Sequence, residues 1–114
     1  MYFRRIKEEH EESLVTLACL GVAPWNAPMG ELTRTLWRKY RGWIEKMIAA
    51  AATERNLDID ARKAAITYVH MGDGLWIGWL LDPEAYTLDE AEGILRDWLL
   101  DLFGERPAAP PPAA

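Results

Sequence analysis

The chain has 114 residues and a mass of 13.0 kDa, which leaves room for one domain around one hydrophobic core and excludes a multidomain enzyme. Half of the residues are hydrophobic and six are Trp, more than a disordered chain carries, while a net charge of -5 argues against a nucleic-acid-binding surface, which needs excess base to neutralise phosphates. Cys19 is the sole cysteine, so an intramolecular disulfide and a cysteine-built metal site are both excluded.

Met1-Tyr2-Phe3-Arg4-Arg5 is not followed by the apolar run of a signal peptide. Elsewhere no uncharged stretch reaches the ~18 residues of a membrane span. The chain therefore reads as cytoplasmic, with no membrane partner.

Apolar residues recur at helical spacing throughout and strand alternation is absent, so the expected class is all-α, with four main helices. The first is expected from about Phe3 to Leu20. It carries Ile6, His10, Leu14, Leu17 and Ala18 on one side and i,i+4 pairs such as Arg4/Glu8 and Lys7/Glu11 on the other, and Gly21 and Pro24 end it. Asn26 is the expected N-cap of the second helix. Its inward face reads Leu32, Leu36, Tyr40, Trp43, Met47 and Ala51, widened by Trp37, Ile44 and Ile48, and Arg34, Arg38, Arg41 and Glu45 lie opposite.

The third helix starts after Asp58 or Asp60 and stops before Asp82-Pro83. Ala65, Tyr68, Gly72, Leu75, Trp76 and Trp79 form one apolar flank, and Ile66, Val69, Asp73, Ile77 and Leu80 form an adjoining one, so two partners are implied. Thr87-Leu88-Asp89-Glu90 is a capping box for the fourth helix, which turns Ala91, Ile94, Leu95, Trp98, Leu99, Leu102 and Phe103 inward and stops at Gly104. The chain divides into a folded unit, 1-106, and a disordered Pro/Ala tail, 107-114.

Trp37, Tyr40, Trp43, Tyr68 and Trp76 fall on inward faces of neighbouring helices, and Asp73 lies on an apolar flank where ionisation is costly without a partner. Aromatic faces around a carboxylate suit a quaternary ammonium or similar cation, each ring contributing about 0.5 to 2 kcal/mol. The same aromatic residues serve equally as plain core, and Asp73 has His70, an arginine or a backbone group as alternative partners. Gly74 and Gly78, four residues apart, let two backbones approach, as at a dimer seam, and Gly72 leaves room for a ligand or a neighbouring Trp.

His70 and Asp73 are too few for a metal site, so neither metal nor cofactor is expected. Ser13 is the only serine, Cys19 has no base placed near it in sequence, and no Gly-rich loop follows a strand, so the chain is not expected to be an enzyme.

The order of these features carries a resemblance. Leu36-Trp37-Arg38-Lys39-Tyr40-Arg41-Gly42-Trp43, then Ala64-Ala65 leading into Asp73-Gly74-Leu75-Trp76, then a Leu-Leu-Asp-Pro-Glu-Ala turn and a last amphipathic helix resemble the C-terminal regulatory domain of TetR-type transcriptional repressors, its BetI-type branch above all, over roughly residues 14-103.

The resemblance implies a helical bundle that dimerises through its last two helices, with Gly74, Gly78, Ile94, Trp98 and Leu102 at the seam. It also implies a small-molecule pocket at Trp37, Tyr40, Trp43, Tyr68, Asp73 and Trp76, for a cationic, choline-like effector. Residues 1-13 are too short for the family's helix-turn-helix head, so DNA contact by this chain alone is not expected. The expected function is therefore the ligand-sensing, homodimerising part of a repressor. The alternatives are an interaction module that heterodimerises with an intact relative and, further off, a carrier of small apolar molecules.

Overall fold

A computed structural model describes residues 6-108, with side chains from His10 onward. The predicted helix start at Phe3, the Ile6 side chain, the first-turn ion pairs and most of the Pro/Ala tail lie outside these residues. The described chain is helical and contains no strand: α1 (Ile6–Val22), a single 3-10 turn at Ala23–Trp25, α2 (Ala27–Glu54), α3 (Ala61–Leu81) and α4 (Leu88–Phe103).

Local chemistry sets most of the ends. The Asn26 side chain accepts from the Met29 backbone N–H, and Asp60 does the same for Lys63. At Thr87 both halves of the capping box are present, with the Glu90 carboxylate reaching back to the Thr87 amide. Gly104 closes α4 in the left-handed region at φ 68°.

The end of α1 differs from the expectation. Gly21 lies inside the helix, which runs on to Val22, and Pro24 then imposes the tighter turn. A glycine marks a helix end only where its backbone turns left-handed, and Gly21 does not.

α2 and α3 are antiparallel neighbours joined by a short link, and their contact forms the main core. Ile44 and Ile48 interdigitate with Ala64, Ala65 and Val69, and Tyr68, Trp98, Leu99, Leu102 and Phe103 close around them. Alanine on α3 is what admits the isoleucines of α2 at close helix spacing. At the other end of α3, Trp79 and Leu80 pack with Leu88 of α4 and Leu17 of α1. His10 meets Trp79 edge to face at 5.3 Å and lies 3.4 Å from the Leu80 carbonyl. The start of α2 is held close to the 3-10 turn because Gly30 has no Cβ: one built there would lie 2.9 Å from the Ala23 carbonyl oxygen. Arg55, bonded to Glu105, lies 5.1 Å over the Phe103 ring and ties the end of α4 to the end of α2.

Of the predicted inward face of α2, only the Ile44 and Ile48 edge is buried. Leu32, Leu36, Tyr40, Trp43 and Met47 are between 44% and 58% exposed, and the buried positions are Gly30, Ile44, Ile48 and Ala52. The apolar arc of α2 is wider than the surface α3 offers, and no other described element lies over the remainder. On α1, Leu14 and Ala18 are likewise exposed, and on α4 the predicted core residue Ile94 is 48% exposed.

The result is a slab of 51 × 38 × 21 Å with a radius of gyration of 16.8 Å, against about 13 Å for a compact domain of this length. Its accessible surface is 8694 Å², against about 6300 Å² for a compact monomer of this mass.

Candidate ligand groove and the family of the chain

The uncovered arc of α2 faces a groove of about 1240 Å³ walled by all four helices. Its volume exceeds the ~300 to 1,000 Å³ of ordinary small-molecule sites. The walls are mostly apolar: Leu17 and Leu20 from α1, Leu32 and Leu36 from α2, Leu95 and Leu99 from α4.

Five of the six residues predicted to bind ligand share this groove: Trp37 and Tyr40 on α2, and Tyr68, Asp73 and Trp76 on α3. Trp43 is not among its walls. It lies one turn beyond Tyr40, 58% exposed, with its ring 6.2 Å from the Tyr40 ring. Tyr68 faces the groove while its ring lies 6.4 Å from Trp98 of the core.

Asp73 is not an isolated carboxylate. Its Oδ2 is 3.0 Å from Nδ1 of His70, and Nε2 of His70 is 3.1 Å from Nη1 of Arg41. Guanidinium can only donate, so Nε2 accepts, and Nδ1 carries the ring proton and donates to Asp73. The imidazole is thereby bridged between Arg41 and Asp73, with the Trp37 ring edge-on at 5.6 Å. Among the described residues no hydrogen bond reaches Oδ1 of Asp73, and its side chain is 35% exposed, so one oxygen is free to meet a ligand.

Burial raises the pKa of the nearby Tyr40 hydroxyl above its ordinary value, and Tyr68 and the Asp73 carboxylate add to the shift. This end of the groove is thus aromatic and holds one carboxylate, Asp73, with the Arg41 guanidinium on the far side of His70. Two further charges, Glu92 and Arg96, are exposed on the α4 wall.

Sequence reasoning offered His70 and an arginine as alternative partners of Asp73 and missed that His70 bonds Asp73 while Arg41 reaches His70 from another helix. It also missed the groove walls on α1 and α4. Spacing within one helix carries no signal for either.

The residues named for a dimer seam differ in their surroundings within the single chain. Gly74 is exposed and lines the groove. Gly78 is occupied within the chain: the Tyr86 hydroxyl oxygen sits where its Cβ would be and donates to the Leu75 carbonyl. Trp98 and Leu102 are half-buried against the chain's own core. Ile94 stands free on α4.

No described helix is long and apolar enough to cross a membrane. A family model of the BetI-type transcriptional repressor, C-terminal domain, matches residues 1–104, extending the expected resemblance to the start of the chain. No curated protein and no solved structure matches the chain. The match spans all four helices and the groove between them, and the chain belongs to the family of BetI-type transcriptional repressor C-terminal domains.

Proposed function

We propose that this domain senses a cationic small molecule and dimerises, passing the ligand's arrival to DNA-binding heads as a change in their relative position. The observation that carries the reading is the groove of about 1240 Å³ whose walls include Trp37, Tyr40, Tyr68 and Trp76 and a carboxylate, Asp73, with one oxygen free. Aromatic faces attract a quaternary ammonium through their quadrupoles, and Asp73 adds a full negative charge. A ligand that fits one packing of the four helices better than another shifts the population between them, which is all that signalling requires.

Dimerisation is supported by surface. Ile94 on α4, with Ile66 and Leu81 on α3, provides the exposed apolar contacts on the last two helices. The same surface supports the second reading, pairing with an intact relative.

Light scattering of the pure chain, combined with a thermal-shift series of choline against its neutral carbon isostere, tests the proposal. A dimer stabilised by choline alone is the expected result. A ligand at 100 times its dissociation constant adds about 2.7 kcal/mol. A monomer indifferent to both compounds would contradict the proposal, and a chain that pairs only with an intact relative would favour the second reading.

A further inference from the structure

The groove is much longer than a cationic head group needs. Along α2 it runs from Met29 to Tyr40, eleven residues and so about 16 Å at the rise of a helix. Tyr40, Tyr68, His70 and Asp73 meet at one end of the groove, while the charged side chains of Glu92 and Arg96 lie on the exposed α4 wall. At the other end the two hydroxyls are already used. Thr16 donates to the Glu12 carbonyl at 3.1 Å and Thr33 to the Met29 carbonyl at 2.8 Å, so neither asks for a polar ligand atom. Between them Leu32 and Leu36 expose more than half of their surface to the groove and its mouth.

We infer that the ligand is a single-chain cationic amphiphile: a quaternary ammonium head on an alkyl or acyl tail. The head sits at Tyr40, Tyr68 and Asp73, and the tail lies along Leu36, Leu32 and Met29 toward α1. This rests on the cationic reading above and adds the tail to it. From Leu36 to Met29 is about 10 Å along the helix, so with C–C bonds of about 1.5 Å in zigzag a tail of about eight carbons spans it and a longer one reaches the α1 wall. Burying each methylene in such a groove raises affinity about twofold to fourfold, so tail length is a strong discriminator.

The test is calorimetric titration of the whole chain with tetramethylammonium and with butyl-, octyl- and dodecyltrimethylammonium, each below its micelle concentration. Octanoate and octyl glucoside serve as anionic and neutral tails of matched length. The expected result is affinity that climbs at each step of the cationic series and is at least tenfold weaker for both octyl controls. Leu36→Gln should flatten the climb, and Asp73→Asn should lower the whole cationic series without altering its slope.

If tetramethylammonium binds as tightly as the octyl compound, the tail is overturned and the cationic effector stands. If octanoate or octyl glucoside binds as tightly as octyltrimethylammonium, the cationic head is overturned, and this inference with it. Binding of none of the probes overturns both.

Discussion

Nδ1 of His70 stands 3.0 Å from Oδ2 of Asp73, and the bond between them fixes which carboxylate oxygen is left for a ligand. The two side chains are 41% and 35% exposed, so the pair stabilises the fold by less than about 1 kcal/mol. Asp73→Asn should therefore leave the urea midpoint nearly unchanged. It should weaken a cationic ligand about tenfold and a neutral one hardly at all. Equal losses for both ligands would remove the carboxylate from recognition.

Gly78 and Tyr86 make a second pair with a measurable coupling. A methyl group at position 78 would strike the Tyr86 hydroxyl and break its bond to the Leu75 carbonyl. Gly78→Ala should destabilise the chain by about 1 to 3 kcal/mol through overpacking, despite the better helix propensity of alanine. In a Tyr86→Phe background the clash is gone, because the nearest remaining ring atom lies at ordinary contact distance, 3.5 Å. There the same substitution should be neutral or stabilising by up to about 1 kcal/mol. Additive effects in the double-mutant cycle would refute this packing account.

Ile94 gives the cleanest probe of α4 as an interface, because it is 48% exposed and absent from the chain's own core clusters. Ile94→Glu should halve the mass seen by light scattering while circular dichroism keeps its helical amplitude. Trp98 is less informative, since it packs against the chain's own core and its loss would unfold the monomer. A dimer that survives Ile94→Glu would move the seam elsewhere.

Tyr40 predicts an alkaline effect. Its folded pKa is raised above the ordinary value of 10.0, so the neutral phenol is the form that the fold favours. Its contribution is complete below about pH 10, where the unfolded tyrosine is still protonated, and is lost as pH rises through the folded value. The stability difference between the natural chain and Tyr40→Phe should shift against the natural chain above pH 10 and stay constant between pH 7 and 9. A constant difference up to pH 11 would contradict the burial of this hydroxyl.

Apart from the end of α1, the helix ends of this fold could be read from the sequence because capping is local. Asn26, Asp60, Thr87 with Glu90, and Gly104 each act on backbone groups within a few residues of themselves. The buried face of α2 could not, because periodicity shows that an apolar arc exists, not which part of it another helix will cover. The arc holds Leu32, Leu36 and Met47 as well as Ile44 and Ile48, and the small residues Ala64 and Ala65 of α3 decided for the isoleucines.

At the groove, helical spacing was enough to bring Trp37 to Tyr40 and Tyr68 to Trp76. It failed for Trp43, which lies on the same arc of α2 but beyond the end of the groove. The bond from Arg41 to His70 joins residues 29 apart in the chain and depends on how α2 and α3 pair, which no single-helix pattern encodes.

The most direct test of the central claim is tryptophan fluorescence of the pure chain titrated with choline and, separately, with its neutral carbon isostere. Trp37 and Trp76 line the groove, so occupancy changes their surroundings. The account predicts a saturable change with choline at least tenfold tighter than with the isostere. Identical titrations for the two compounds, or no change with either, would contradict it.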